Sequence, residues 1–314
     1  MHPTRSRKVQ IASRSDVGRV RSANQDACGE FENADGYRLL VVADGMGGHR
    51  GGETASRLAL EAIGNAFECD FGDPDTLLAR AFRSANDEIH RIAASDPALH
   101  GMGTTGVAIL IGPRDKAWVA HIGDSRAYRL RDGHFDQITE DHSWVNEELR
   151  QGRITADQAS DHPMKNVLLR SIGVGANVEA STSEIDLRSG DRFLLCSDGL
   201  WGEVSDSNMA EVLARESPPD AVGQLVDLAN AHGGSDNVTV QVAGLIDAGE
   251  PPAIAMGIDG PTEAPDPNWL DPPSEAPSRG TKSDPAGRRP LWRPAVVVAA
   301  TLITASALFW RLCA

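Results

Sequence analysis

The sequence contains little cysteine and no cysteine motif. Only four of its 314 residues are cysteine, and none has the CxxC spacing of a zinc or redox site. Such isolated thiols are expected to stay reduced in a cytosolic protein, so neither a disulfide framework nor a zinc centre is predicted. The amino-terminal segment has basic residues but no apolar run, and no secretory signal peptide is expected.

Positive charge is also scarce. The chain has 30 lysines and arginines against 45 acidic residues, which gives a formal net charge of −15. Proteins that bind nucleic acid need clustered cations to neutralise phosphates, so this class of function is excluded. An anionic substrate would be repelled unless local cations recruit it.

The chain changes character near residue 246. Residues 1–246 alternate between strand-like and helix-like segments and are predicted to form the folded domain. Residues 247–290 contain ten prolines with glycine, serine and acids, the composition of a disordered linker. Residues 291–314 include an uncharged run from Ala295 to Trp310, which favours a single transmembrane helix.

The predicted anchor is short for a bilayer. Its 16 uncharged residues would span about 24 Å as a helix, against a hydrocarbon core of about 30 Å. Flanking tryptophans and arginines are expected to extend it at the two interfaces. More arginines precede the segment than follow it, which predicts an inner-membrane protein whose catalytic domain is cytoplasmic. The alternative is a carboxy-terminal helix docked on the folded domain.

Apolar periodicity predicts an α+β fold. Residues 53–67 and 77–94 have apolar side chains at helical spacing on one face. Short β-rich runs predict strands at residues 39–43, 105–111, 117–122, 127–130, 193–196 and 238–243. Because short turn signals separate several of these runs, we expect an antiparallel β-sandwich flanked by helices.

Single aspartates stand at the ends of the predicted strands. The stretch LLVVADGMGGHRGG runs from an apolar strand into Asp44 and then into a glycine-rich segment. One acid at a strand end is usually a turn residue. Five such acids, most with glycine or serine neighbours, are hard to explain as turns. They are Asp26, Asp44, Asp124, Asp198 and Asp236.

Crowded carboxylates indicate a metal site. Like charges at one sheet edge destabilise a fold unless a cation neutralises them. Oxygen ligands without histidine or cysteine favour Mg²⁺ or Mn²⁺, and pairs of these ions carry out in-line phosphoryl displacement. Arg21, close to Asp26 in sequence, is the candidate for binding phosphate oxygens, the alternative being an exposed surface arginine.

Seven motifs in order resemble one family. They are similar to motifs of the bacterial type 2C (PPM-type) metal-dependent Ser/Thr protein phosphatases. The seven stretches are RVRSANQD, VVADGMGGHRGGE, GMGTTGV, HIGDSRAY, TEDHS, CSDGLW and SDNVTV. The resemblance covers about residues 11–243. It implies a central β-sandwich flanked by helices, with the metal site at one edge.

The resemblance also implies roles for individual residues. Asp44 would bridge two central metals and Gly45 would contribute its carbonyl oxygen. Asp198 and Asp236 would ligate one of these ions, and Asp26 would act through metal-bound water. Asp124 would hold a third, weaker ion together with Asp198. Arg21 would bind the substrate phosphate, and residues 141–175 would form a flap that helps to select substrates.

Two positions depart from animal members of the family. Gln25 stands where they have glutamate, so metal affinity is expected to be lower. Met46 stands where they have a histidine proposed as general acid, and methionine cannot donate a proton. Metal-bound water is the expected proton donor, while His49 is more simply interpreted as a surface residue.

The expected function is hydrolysis of phosphoserine and phosphothreonine in phosphoproteins by a metal-activated water. By resemblance, a Ser/Thr protein kinase is the expected partner. One alternative is a phosphatase of a sigma-factor pathway that acts on a phosphoserine antagonist. Another is a catalytically idle, membrane-tethered module that docks phosphoproteins, which the presence of all five acids disfavours.

Overall fold

The computed structural model describes residues 7–69 and 71–247, apart from the side chains of Arg7, His49 and Asp247. The linker was predicted from residue 247, but Asp247 is the last residue of a strand. The rest of the predicted linker, residues 248–290, and the predicted anchor lie outside the described residues. Within the described part of the chain, no helix has the length and apolar character needed to cross a membrane.

The described chain alternates strands and helices. The strands are β1 (Arg7–Asp16), β2 (Asp26–Glu32), β3 (Arg38–Met46), β4 (Gly103–Thr104), β5 (Gly106–Ile111), β6 (Lys116–Ile122), β7 (Arg126–Arg131), β8 (His134–Gln137), β9 (Ser181–Asp186), β10 (Arg192–Cys196) and β11 (Val238–Asp247). The α-helices are α1 (Gly48–Cys69), α2 (Pro74–Ser95), α3 (Trp144–Arg150), α4 (Ala156–Ser160), α5 (Asp198–Trp201), α6 (Asp206–Arg215) and α7 (Pro218–Ala231).

The strands form two antiparallel sheets. One has the order β1-β11-β10-β7-β8, and the other has the order β2-β3-β5-β6-β9 with the short β4 paired to β3. Three apolar clusters lie between layers: α1 and α2 against the second sheet, sheet against sheet, and α6 and α7 against the first sheet. The prediction of an α+β fold with antiparallel sheets flanked by helices is confirmed.

Alternation along β3 shows how the layers are specified. Leu39 and Val41 pack with α1 and α2, whereas Leu40 and Val42 pack between the sheets. All four side chains are fully buried, so both faces of this strand are covered. A continuous apolar run is the pattern expected for such a strand.

The glycine-rich segment after Asp44 does more than form a loop. Helix α1 begins at Gly48, so most of these glycines lie in its first turns rather than in an open clearing. Gly51 and Gly52 are buried, and a Cβ on Gly52 would lie 2.7 Å from the carbonyl oxygen of Gly45. The glycines therefore let the start of the helix pack directly on the end of β3.

Helix α2 begins where its sequence signals indicate. Asp73 is the N-cap and accepts a hydrogen bond from the backbone of Asp75, with Pro74 in the first turn. This bond satisfies one of the amide groups left unpaired at a helix start.

The predicted strands and two predicted helices are present, but other elements were not expected. Strands β1, β2, β4, β8 and β9 and helices α3 to α7 were missed. Apart from the two-residue β4, the missed strands lie at the outer edges of the two sheets, where partial exposure interrupts the apolar pattern. The segment between β8 and β9 holds α3 and α4 and contains the predicted flap.

Candidate active site

One end of the space between the sheets is acidic. Side chains alternate along β3, so Asp44 lies on the same side as Leu40 and Val42, facing the other sheet. On the neighbouring β2, Asp26 pairs directly with Asp44 across the strands. Two carboxylates at paired positions repel each other unless a proton or a cation lies between them. The apolar core between the sheets therefore ends in a pair of acids.

Hydroxyl groups of the opposite sheet hold Asp26. Ser197 Oγ donates to Asp26 Oδ2 at 2.8 Å, and the backbone N–H of Thr239 donates to Ser197 Oγ at 3.0 Å. Ser197 and Thr239 are both fully buried. Thr239 Oγ1 also shares a hydrogen bond of 2.7 Å with Ser15 Oγ. Groups from both sheets thus fix the position of Asp26.

The backbone of Asp44 is equally constrained. Its N–H donates to Thr105 Oγ1 at 3.1 Å, and its carbonyl oxygen accepts from the Thr105 N–H at 2.8 Å and from Thr104 Oγ1 at 2.7 Å. Thr105 Oγ1 shares a further bond of 2.6 Å with Ser125 Oγ, beside Asp124 in sequence. Strand β3 therefore presents the Asp44 carboxylate from a rigid support.

Asp198 and Asp236 reach the same place from other elements. Asp198 is the first residue of α5, directly after β10, and Asp236 lies just before β11. A Cβ on Gly199 would lie 2.0 Å from the carbonyl oxygen of Asn237, so the two segments pack backbone to backbone. This close approach explains the glycine after Asp198.

Burial and crowding raise the pKa values of Asp26, Asp44 and Asp198. Desolvation raises the pKa of Asp26 to about 7, with a further contribution from the charges of Asp198 and Asp236. Desolvation, and then the charges of Asp26 and Asp198, raise the pKa of Asp44 well above its ordinary value. The pKa of Asp198 is also raised, first by desolvation and then by Asp236. A cation in the cluster would oppose these shifts, because it favours the charged carboxylates.

Asp124 lies beside the group in the turn between β6 and β7. It is buried, and desolvation followed by the charge of Asp198 raises its pKa to about 7. Its carbonyl oxygen accepts a hydrogen bond of 3.0 Å from Trp201 Nε1. The Arg126 guanidinium lies 3.7 Å from the centre of the Trp201 ring and binds Asp141 at the start of the flap. The turn that carries Asp124 is therefore tied to the flap.

The donor set fits hard metal ions. The Oδ1 atoms of Asp26 and Asp198 are buried and have no hydrogen-bond partner. Buried oxygens without a partner are expected where a cation binds. A Cβ on Gly45 would lie 2.1 Å from the Gly52 carbonyl oxygen, so only glycine allows the tight turn whose backbone borders the acids. Within residues 7–69 and 71–247, no three Asp, Glu, His or Cys side chains are already arranged to hold one ion.

Arg21 supplies the cation of the site. Its Nη2 lies 2.6 Å from Asp236 Oδ2, and the arginine and aspartate side chains are 51% and 31% exposed. Arg21 is therefore within reach of an incoming anion, but it is engaged with a predicted metal ligand. Metal binding at Asp236 and phosphate binding at Arg21 would therefore involve the two partners of one ion pair.

Asn237 organises the site and was missed by the sequence reasoning. Its buried side chain accepts from the N–H of Gln25 at 2.8 Å and donates to the carbonyl oxygens of Val17 and Ala23 at 2.9 and 3.0 Å. One amide thereby holds the loop that carries Arg21 against the segment that carries Asp236. Its place inside the SDNVTV motif was the available signal.

The acids open into a cleft of about 610 Å³. We call this opening the catalytic cleft; the loop of residues 21–25 borders one side, and flap residues 166–174 border another. Met46 lines it, while the His49 side chain lies outside the described residues. Gln25 Nε2 donates to the Gly48 carbonyl oxygen at 2.6 Å. All five predicted acids, Gly45 and Arg21 are thus brought together.

Comparison with known proteins shows which protein family this chain is related to. A family profile described as Protein phosphatase 2C matches residues 18–228. The serine/threonine phosphatase stp of Listeria monocytogenes is 40% identical over 233 residues, which are 72% of this chain and 92% of the relative. The serine/threonine protein phosphatase PstP of Mycobacterium tuberculosis is 41% identical over 240 residues, 76% of this chain and 45% of the relative.

The chain belongs to the protein phosphatase 2C family. The crystal structure of the PstP catalytic domain in complex with two manganese ions superposes with a TM-score of 0.69 at 40% identity, covering 77% of this chain and 100% of that chain. The predictions of a bacterial metal-dependent Ser/Thr protein phosphatase, and of Mn²⁺ or Mg²⁺ as its cofactor, are confirmed. Asp236 lies beyond the profile match, so its place in the phosphatase site rests on geometry.

Proposed function

We propose that the catalytic cleft removes phosphate from phosphoserine and phosphothreonine in phosphoproteins and that the phosphatase reverses the action of a Ser/Thr protein kinase. The observation that carries this proposal is the convergence of aspartates from separate segments of the chain. Asp44, Asp124, Asp198 and Asp236 line one cleft that has Arg21 at its rim, and Asp26 pairs with Asp44 behind them. Acids alone would repel a phosphorylated protein. Their metal ions and Arg21 recruit it.

Each residue has a distinct part in holding the ions. Asp44, on the most constrained backbone, would bridge two central ions, and the Gly45 carbonyl oxygen would complete the sphere of one. Asp198 and Asp236 would ligate the other ion, with Asp26 acting through water. Asp124 would hold a third ion together with Asp198. When bound, the ions supply Lewis acidity that activates a water molecule and neutralises phosphate charge.

Arg21 positions the substrate phosphate. A guanidinium group can donate two parallel hydrogen bonds to phosphate oxygens, which fixes the orientation of the ester. The loop that carries Arg21 is held at Val17 and Ala23 by Asn237, so the arginine acts from a defined base. Because its partner in the structure is Asp236, a phosphate that draws Arg21 away also leaves Asp236 available to a cation.

The leaving-group oxygen needs a proton. Met46 lines the cleft beside the acids but has no proton to give. Solvent in the open cleft is therefore the proposed source. A phosphatase that works in this way should depend little on the leaving-group side chain, serine or threonine.

Phosphate release tests the activity. Full-length protein in millimolar Mn²⁺ should release phosphate from a generic phosphothreonine peptide, and a chelator should abolish the release. Folded, metal-loaded protein that binds the phosphopeptide without turnover would instead support the idle docking module.

The identity of the phosphoproteins separates two versions of the proposal. A kinase partner predicts that phosphopeptides which accumulate in a deletion strain are substrates of one Ser/Thr kinase. The sigma-factor alternative predicts accumulation of a single small phosphoserine protein. Quantitative phosphoproteomics of that strain distinguishes the two.

We also propose that residues 291–314 anchor the phosphatase in the inner membrane, with the catalytic domain in the cytoplasm. The uncharged run from Ala295 to Trp310 and the arginines before it support this proposal. Full-length protein should need detergent for extraction, while a chain truncated after residue 247 should not. Full-length protein released by a carbonate wash would contradict the anchor.

A further inference from the structure

Exposed apolar side chains are concentrated in two segments next to the catalytic cleft. Among the described residues, the large apolar side chains with high exposure all lie in residues 17–20 and 164–174. They are Val17, Val20, Met164, Val167, Leu169 and Val174. The first segment leads into Arg21, and the second belongs to the flap, where Val174 lines the cleft. Scattered exposed apolar residues need no explanation, but a group on both sides of one opening indicates a binding surface.

Packing holds the two sides of this surface in place. A Cβ on Gly103 would lie 2.7 Å from Val174 Cγ2 and 3.7 Å from Met46 Cγ, so Val174 packs closely over the end of β4 next to Met46. On the other side, Asn237 holds the loop at Val17, and the N–H of Arg19 donates to the Gly234 carbonyl oxygen at 2.7 Å. Val20 is 71% exposed between these attachments and Arg21.

We propose that Val20, Met46, Leu168 and Val174 form an apolar collar that selects phosphosites flanked by aliphatic residues. This inference rests on the proposed function of the cleft. Val20 directly precedes Arg21, so a phosphate bound by Arg21 would bring the adjacent substrate residue near Val20. Met46, Leu168 and Val174 line the cleft itself. An aliphatic side chain there removes apolar surface on both molecules from water. A flanking acid gains no such contact and meets the net negative charge of the protein.

Matched phosphothreonine peptides test the collar on the full-length, Mn²⁺-loaded protein. Three peptides would carry leucine, serine or aspartate on both sides of the phosphothreonine, and p-nitrophenyl phosphate would serve as a substrate without flanking residues. The wild type should have the highest kcat/KM for the leucine peptide and the lowest for the aspartate peptide. For Val20→Ser and Val174→Ser, we expect kcat/KM for the leucine peptide to fall about fivefold each, the effect of losing one good apolar contact. Activity on p-nitrophenyl phosphate should not change.

Leu169→Ser is the matched control. Leu169 lies on the same flap segment and is 53% exposed against 52% for Val174. However, it lines the neighbouring cavity beside His121 and His142 instead of the catalytic cleft. This variant should keep the preference of the wild type.

Three results would overturn the collar. One is equal kcat/KM for the three peptides, and another is the same loss in Leu169→Ser as in Val174→Ser. The third is unchanged peptide preference in Val20→Ser and Val174→Ser. If the wild-type protein turned over none of these substrates, including p-nitrophenyl phosphate, the result would instead contradict the proposed function.

Discussion

The metal rim and the flap border the same cleft but are built differently. We define the metal rim as the five aspartates and Gly45. Strands carry part of it, and its backbone contacts are too close to admit a side chain. Four of its carboxylates, Asp26, Asp44, Asp124 and Asp198, have raised pKa values. The flap consists of two short helices, α3 and α4, with surface ion pairs such as Arg153–Glu148 and exposed apolar residues. The reaction centre therefore depends on geometry that tolerates little change, whereas recognition depends on exposed side chains that can vary.

The largest difference in activity between a change in the metal rim and a change in the flap is expected when a carboxylate is replaced by an amide. Asp44→Asn should reduce kcat on a phosphopeptide by about a hundredfold or more, because a neutral amide bridges two cations poorly. Asp157→Asn, in α4 of the flap, should keep the wild-type rate. More than a tenth of the wild-type rate in saturating Mn²⁺ for Asp44→Asn would contradict the bridging role.

Glycine substitutions compare how tightly the metal rim and the flap are packed, measured as the free energy of unfolding. Gly45→Ala places a Cβ 2.1 Å from the Gly52 carbonyl oxygen and should lower the free energy of unfolding by about 3 kcal/mol. On the flap, a Cβ at Gly175 meets nothing closer than 3.7 Å, so Gly175→Ala should be nearly neutral. Urea denaturation measures both. Equal effects would show that the rim is no more tightly built than the flap.

Arginine substitutions compare phosphopeptide binding beside the metal rim and on the flap. Arg21→Ala should raise KM for phosphopeptides by roughly tenfold, because charge-assisted hydrogen bonds to phosphate are lost. Arg153→Ala removes a flap ion pair of low energetic value and should leave KM unchanged. Calorimetric titration with Mn²⁺ provides the second readout, since Arg21→Ala should retain the two central ions. Unchanged KM and kcat would make Arg21 an ordinary surface residue.

Asp124 joins the two regions, and its loss should have an intermediate effect. Asp124→Ala should weaken binding of the third ion and lower kcat a few-fold, which corresponds to about 1 kcal/mol of activation free energy. The two central ions should remain, and the fold should be intact by circular dichroism. Identical metal stoichiometry and rate in the variant would contradict the assignment.

The smallest effect concerns pH and the metal-free rim. The folded-state pKa values of Asp26 and Asp124 are raised to about 7, above the value of about 4 in an unfolded chain. The folded protein therefore takes up protons as pH falls below about 7, and metal-free protein should become more stable between pH 8 and pH 5.5. We expect the melting temperature to rise by roughly 5 °C. Saturating Mn²⁺ should remove this dependence, and a fall in melting temperature over the same range would contradict it.

Sequence patterns predicted the rim better than its surroundings. Asp44 and Asp198 follow apolar strands that the periodicity identifies, and five acids in glycine-rich and serine-rich settings have few explanations apart from a metal site. The edge strands β1 and β2 were missed because partial exposure weakens their apolar pattern. The pairing of Asp26 with Asp44 depends on strand register, which no local signal specified. The same holds for the ion pair of Arg21 with Asp236 and for the role of Asn237, since these contacts join segments more than 200 residues apart.

The direct pairing of Asp26 with Asp44 has a consequence for errors in folding. Side chains alternate along a strand, so a slip of one residue between β2 and β3 would turn Asp26 and Cys28 away from the other sheet and toward helix α1. The same register thus decides both how β2 packs and whether the acids meet. A molecule with the wrong register would lose this packing and its metal site together, so a misassembled copy of this phosphatase would remove no phosphate.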